Sequence, residues 1–181
     1  MESQSVEMLL KDLLRIATRE THKLPEILAD NFNLYDKQIA KILKEEYQKP
    51  KSDYRVLCGC FSVIWGASQR YPRISYKVFR DSYHLINKGL QDRRVSVKRL
   101  ATLAILGIIC KIYLHWLIHA NEDDGSEITA EIAELKKNIK YADFLNSFNS
   151  LFISPLEKRI VCETAGIRVE ALVTVSKSML G

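Results

Sequence analysis

Apolar residues recur every three or four positions over most of the chain. The clearest run begins at Tyr76, and apolar side chains follow it at positions 79, 83, 86 and 90. Similar runs lie within 9–17, 39–47, 57–65 and 128–139. This spacing places apolar side chains on one face of a helix, and no segment shows the sustained alternation of a strand. The pattern therefore predicts an all-α chain of seven to nine helices with short loops.

Helix-start signals agree with this spacing. Asp53 and Ser75 stand where a capping side chain is expected, before the third and fourth apolar runs. The strongest signal is Ser154-Pro155-Leu156-Glu157, which combines a capping serine, proline in the first turn and glutamate at the third helical position. We expect a last helix over roughly 155–179, although its β-branched residues leave a strand open there.

Residues 100–118 form the most apolar stretch, LATLAILGIICKIYLHWLI. Nineteen such residues are long enough to cross a bilayer. However, Lys111 lies in the middle of the stretch, and a lysine at mid-membrane costs about 2.5–3.5 kcal/mol on insertion scales. His115 and His119 continue a polar stripe at four-residue spacing. We therefore predict a central buried helix near 96–119, with a membrane span as the alternative.

The stretch 85–106, LINKGLQDRRVSVKRLATLAIL, resembles a single HEAT or armadillo-type helical repeat. Asp92 matches the aspartate of the repeat's turn, Val97 and Lys98 match its valine-basic pair, and Ala101 and Ala104 match its small positions. The resemblance implies an antiparallel helix pair and a scaffold that binds protein or nucleic acid. A solenoid needs about three such repeats, and no second copy with equal spacing occurs.

Together these patterns predict one all-α domain over residues 1–181. We expect a compact set of antiparallel helix pairs, in a HEAT-like or bundle arrangement, around the helix near 96–119. An internal boundary, if there is one, falls at the acidic loop 121–126, where the composition changes most clearly. The length is sufficient to bury a sizeable core, and an apolar fraction of 47% is too high for a disordered chain.

The net charge of +5 averages over three unlike regions. Residues 1–50 carry a net charge of −1 and residues 121–181 carry −3. Residues 51–120 contain 12 basic and 3 acidic side chains, a net charge of +9. Such a block favours phosphates, anionic lipid or an acidic protein surface, unless acids elsewhere in the fold compensate it.

The densest part of this block is the segment 70–99. Cations at 73, 77, 80, 84 and 88 have helical spacing and are expected to form one stripe opposite an apolar face. Further cations follow in the next turn and at the start of the next helix. The candidate anion- or partner-binding residues are Arg70, Arg73, Lys77, Arg80, His84, Lys88, Arg93, Arg94, Lys98 and Arg99.

Other candidate chemistry is sparse. His115, His119 and either Glu122 or Asp123 have a spacing that zinc accepts, but no fourth ligand is evident and ordinary histidines are the favoured interpretation. Cys58 and Cys60 are separated by one residue and point to different sides of a helix, so buried thiols are expected. No glycine-rich phosphate loop, nucleophile elbow or zinc-protease motif occurs. We predict no cofactor, no metal and no enzymatic activity.

These observations favour a non-catalytic helical adaptor in the cytoplasm or nucleus. It would bind a larger protein partner through the basic face of residues 70–99. A nucleic-acid-binding accessory protein that contacts phosphates through the same face is the first alternative. A membrane-associated protein that uses the helix 100–118 is the second.

Overall fold

A computed structural model describes residues 2–16, 24–70, 72–119, 121 and 125–166. Within these ranges the chain forms nine α-helices and one 3₁₀ helix and no strand, which confirms the all-α prediction. In chain order the helices are α1 (Glu2–Ile16), α2 (Leu24–Asp30), α3 (Phe32–Gln48), α4 (Tyr54–Ser68), the 3₁₀ helix (Tyr76–Ser82), α5 (Tyr83–Leu90), α6 (Val95–His119), α7 (Ser126–Asn138), α8 (Tyr141–Leu151) and α9 (Pro155–Thr164).

Helix α6 is the central element. Its side chains are buried almost without interruption between Ala101 and Ile112, which confirms the predicted buried helix. Helix α4 lies along it in the same direction, since Cys58 meets Ser96 near their N-terminal ends and Ala67 meets Lys111 farther on. This close packing explains why a 25-residue helix is apolar on most sides.

Local capping fixes several helix starts. The Asp53 side chain accepts a hydrogen bond from the Arg55 backbone amide, and the Ser75 side chain accepts one from that of Lys77. Both caps were predicted from the sequence. The α3–α4 connection is short, and Arg94, just before α6, donates to Ser52 in that loop, so the α3 C-terminus, the α4 N-terminus and the start of α6 lie together at one end of the fold.

The Ser154 cap of α9 offers a direct test of such signals. Its hydroxyl accepts a hydrogen bond of 3.3 Å from the Glu157 backbone amide. We expect Ser154→Ala to lower the free energy of unfolding by about 1 kcal/mol, because the first turn loses this acceptor. Urea denaturation measures the change. Ser62→Ala inside α4 is the control and should cause no loss; equal losses would contradict a capping role.

The predicted last helix over 155–179 is shorter in the structure. Helix α9 ends at Thr164, and Gly166 follows with a φ of 79°, a left-handed conformation that suits glycine and stops a helix. Residues 167–179 lie outside the described residues. The acidic loop is likewise described only at Asn121 and from Gly125 onward.

Buried charge helps to join the helices. Glu46 in α3 has no exposed surface and contacts the Lys11 ammonium of α1 at 2.9 Å and that of Lys49 at 2.6 Å. It also accepts a hydrogen bond of 3.1 Å from the Asp53 backbone amide. Burial alone would raise the pKa of Glu46, but the two ammonium groups and the amide together hold it below its usual value.

Candidate partner-binding surface

The predicted single stripe of cations is wrong in its geometry. Arg73 precedes the 3₁₀ helix, and Lys77 and Arg80 lie within it, whereas His84 and Lys88 lie on α5. A 3₁₀ helix turns every three residues and an α-helix every 3.6, so one continuous α-helical stripe does not form.

Most cations between 70 and 80 are paired with carboxylates from elsewhere in the chain. The Asp30 carboxylate at the end of α2 forms ion pairs with both Arg70 and Arg73. Asp30 Oδ1 lies 2.6 Å from Arg70 Nε. Hydrogen bonding to Arg70 is the chief cause of the lowered pKa of Asp30. The sequence leaves open whether acidic residues elsewhere in the fold neutralise the basic segment. For Arg70 and Arg73 the structure shows that Asp30 does so.

Helix α7 supplies the next two carboxylates. The Lys77 ammonium lies 2.8 Å from Glu127 Oε1, and the Tyr76 hydroxyl donates to the same carboxylate at 2.9 Å. Arg80 forms an ion pair with Glu131, whose side chain is almost fully buried. Since α7 begins 46 residues after Arg80 in the chain, local spacing around 70–80 gives no sign of these pairs.

Two more of the predicted cations, Arg94 and Arg99, connect loops to other parts of the fold. Arg94 donates to both carboxylate oxygens of Asp92 at 2.9 Å and to the carbonyl and hydroxyl oxygens of Ser52 at 3.0 and 2.9 Å. Arg94 thus connects the α5–α6 turn to the α3–α4 loop by hydrogen bonds. Arg99 forms an ion pair with Glu157, and its guanidinium lies over the Phe152 ring, 4.6 Å from the centroid.

The remaining four predicted cations have no carboxylate partner within the part of the chain that the structure describes. They are His84, Lys88, Arg93 and Lys98, which we call the unpaired cations. Lys88 lies over the Tyr47 ring at 5.9 Å, and Arg93 is exposed in the turn that Arg94 fastens. The structure thus divides the ten predicted residues into six that form ion pairs within the chain and four without a carboxylate partner among the described residues, of which His84, Lys88 and Arg93 are exposed and Lys98 is half-buried.

Sequence reasoning missed one cation of this region. Lys51 is exposed in the α3–α4 loop, and it directly precedes the serine that Arg94 binds. Lys51 and Arg93, 42 residues apart in the chain, therefore directly precede the two residues that bond to each other, Ser52 and Arg94. The parallel N-terminal ends of α4 and α6 add partial positive charge at the same end of the fold. No local sequence pattern around Lys51 indicates this neighbourhood.

The predicted polar stripe of α6 lies against other elements. Lys111 is 2% exposed and donates to the Ala67 carbonyl at 3.1 Å. The rings of His115 and His119 are 4.5 Å apart, and the Tyr76 ring meets His115 edge-on at 5.0 Å. Among the described residues no three potential ligands come close enough to hold a metal ion. Glu122 and Asp123 lie outside those residues.

The four cysteines are buried, as predicted for the pair in α4. Burial raises the pKa of Cys110 to about 12 and that of Cys162 to about 11, and it also raises the pKa values of Cys58 and Cys60. Thiols with raised pKa values stay protonated and are poor nucleophiles. Their contribution is packing.

Helix α6 is the one described helix that is long and apolar enough to cross a membrane by length and composition. Of its most apolar window, 61% is buried inside the protein. Its exposed apolar residues are confined to its C-terminal turns, at Leu114, Trp116, Leu117 and Ile118, and to Val95 at its start. Burial against α4 and α5 therefore accounts for most of its apolar character.

Comparison with known proteins provides no relative from which a role can be transferred. No protein-family model matches the chain, and neither a curated protein nor a solved structure is significantly similar to it.

Proposed function

We propose that this chain is a non-catalytic helical adaptor that binds a protein partner at the end of the fold where α6 begins. The observation that carries the proposal is the division of the basic segment. Six of its cations are bound to carboxylates or turns of the chain itself, whereas Lys88, Arg93 and Lys98 have no carboxylate partner among the described residues. A surface charge without an internal partner adds specificity and association rate to binding by an acidic protein.

The interleaved carboxylates favour protein over nucleic acid. Asp30, Glu127 and Glu157 lie among the predicted cations, so a chain of phosphates along the whole face would meet like charges. Nucleic-acid interfaces are much more positively charged than protein interfaces, which mix both signs at their rims. Exposed apolar side chains beside the unpaired cations, such as Val95, also fit a protein interface better than a phosphate backbone.

Charge reversal tests this proposal. We expect Arg93→Glu combined with Lys98→Glu to abolish recovery of the protein partners that co-purify with the tagged wild-type chain from its own cells. Lys136→Glu combined with Lys140→Glu changes the net charge equally on an exposed surface of α7 and the loop after it, and it should leave recovery unchanged. Thermal melting of each variant checks that folding is intact, because these side chains make no ion pair in the described fold.

Nuclease treatment before elution distinguishes the two classes of partner. Protein partners that survive nuclease and disappear only with the Arg93 and Lys98 variant support the adaptor. Partners lost on nuclease treatment would support the nucleic-acid alternative. Equal recovery by both variants would contradict the proposal for this surface.

A further inference from the structure

Four large apolar side chains are exposed where α6 begins and α9 starts. Val95 is 64% exposed, Ile153 79%, Leu156 65% and Ile160 54%. We call these four residues the apolar patch. Scattered exposed apolar residues are normal, but a group of them on one surface marks an interaction site.

The contacts of Arg99 place these residues on the same side of the molecule. Its guanidinium lies on the Phe152 ring and pairs with Glu157, so the start of α6 meets the α8–α9 connection. Val95 precedes Arg99 by one helical turn and shares its face of α6. Ile153 directly follows Phe152.

Helix α9 presents the rest of the patch. Leu156 and Ile160 are four residues apart, so they stand above one another on the outer face of α9. The opposite face is turned inward, where Cys162 is fully buried near Cys110 of α6. Helix α9 therefore packs on the core through one face, and Leu156 and Ile160 form a second apolar face that is exposed to solvent.

The rim of the patch is basic. Arg93 and Lys98 flank Val95 on the α6 side and carry no ion pair within the described residues. On the α9 side Lys158 donates to the Asn149 side chain, a neutral partner, and pairs with no carboxylate among the described residues. The carboxylates here, Glu157 and Glu163, are already paired with Arg99 and Arg159. The surface as a whole is apolar with an excess of positive charge around it.

We infer that the apolar patch binds an acidic amphipathic helix of the partner protein, an inference that rests on the proposed function. Apolar side chains of such a helix, at positions i, i+3, i+4 and i+7, would cover the patch, and its carboxylates would face Arg93, Lys98 and Lys158. A second copy of this chain is disfavoured as occupant because two basic rims repel. Glu157 and Glu163 within the surface oppose a continuous layer of lipid or RNA phosphates.

Matched apolar substitutions test the inference. The patch variant carries Leu156→Ser and Ile160→Ser. The control variant carries Leu34→Ser and Ile27→Ser on α3 and α2, where the wild-type side chains are 68% and 55% exposed, nearly the same as in the patch. The probe is a fluorescent 20-residue peptide with leucine at i, i+3, i+4 and i+7 and glutamate at most other positions. A scrambled peptide of the same composition lacks the apolar face.

The wild type and the control variant are expected to bind the probe equally, and the patch variant about tenfold more weakly. The scrambled peptide should bind the wild type at least tenfold more weakly than the probe does. Absence of binding by the wild type, or equal binding by the patch variant, would overturn the inference. Tighter binding of a 20-nucleotide RNA or of phosphatidylserine vesicles than of the probe would also overturn it and assign the surface to that ligand.

The co-purification assay separates failure of this inference from failure of the proposed function. If the patch variant keeps the nuclease-resistant partners that the Arg93 and Lys98 variant loses, the adaptor proposal stands and the patch is not its contact. If both variants keep the partners, both proposals fail.

Discussion

Replacing Lys111 by methionine is expected to stabilise the protein by about 3 kcal/mol at pH 7. The Lys111 ammonium is 2% exposed, and burial, aided by the nearby Arg70 charge, lowers its pKa to about 7. Each unit of pKa shift corresponds to about 1.4 kcal/mol between the folded and unfolded states. Methionine fills a similar volume without the cost of removing a charge from water.

The substitution leaves no acceptor unsatisfied. Lys111 donates to the Ala67 carbonyl, but the same oxygen also accepts the backbone amide of Arg70 at 3.1 Å. A buried carbonyl that keeps one hydrogen bond avoids most of the desolvation penalty. The loss of the lysine donor should therefore cost little against the gain.

The pH dependence gives a second readout. The folded pKa of Lys111 is lower than the unfolded one, so above pH 7 the unfolded state binds more protons and the free energy of unfolding rises with pH. We expect the free energy of unfolding of the wild type to rise relative to that of Lys111→Met by about 1 kcal/mol per pH unit between pH 7 and 8.5. The buried cysteines, whose pKa values are raised, oppose the trend as the unfolded thiols begin to ionise within this range, and they do so equally in both proteins.

Urea denaturation at pH 7.0, 7.75 and 8.5 measures both effects. Lys136→Met on the exposed side of α7 serves as the control, and it should follow the wild type at every pH. A methionine variant that is less stable than the wild type, or that keeps the full slope, would show that Lys111 is fully charged and well solvated by its neighbours.

The second large effect is expected at Gly59 in α4. A Cβ atom at this position would lie 2.1 Å from the Leu14 carbonyl oxygen of α1. Backbone cannot move aside as a flexible side chain does, so Gly59→Ala must displace α1 and expose the buried Leu10 and Leu14. We expect a loss of about 3 kcal/mol in the free energy of unfolding, despite the better helix propensity of alanine.

Gly66 in the same helix is the matched control. A Cβ there would meet the Ala29 side chain at 3.1 Å and the Arg70 guanidinium at 3.5 Å. These neighbours can shift slightly, so Gly66→Ala should change the free energy of unfolding by less than about 1 kcal/mol. Limited proteolysis should also release α1 sooner from Gly59→Ala. Equal stability of the two variants would contradict close α1–α4 packing.

The sequence by itself determined the helical class of this protein and several of its helix starts, although not the 3₁₀ helix Tyr76–Ser82 or the end of α9. The caps at Asp53, Ser75 and Ser154 and the buried helix near 96–119 follow from residue type and spacing, because capping and helix-face burial depend on neighbours within a few positions. The same reasoning located the cations of residues 70–99. It also predicted the burial of the cysteines in α4.

Only the tertiary structure decided what those cations do. Arg70 and Arg73 meet Asp30, and Lys77 and Arg80 meet helix α7, at separations of about 40 to 50 residues that no local pattern encodes. Coulombic energy depends on distance in space and on solvent exposure, and both follow from the packing of helices. Among the described residues, the fold thereby neutralises most of a basic segment and leaves Lys88, Arg93 and Lys98 without a carboxylate partner at one end, beside an apolar patch that joins residues about 60 positions apart.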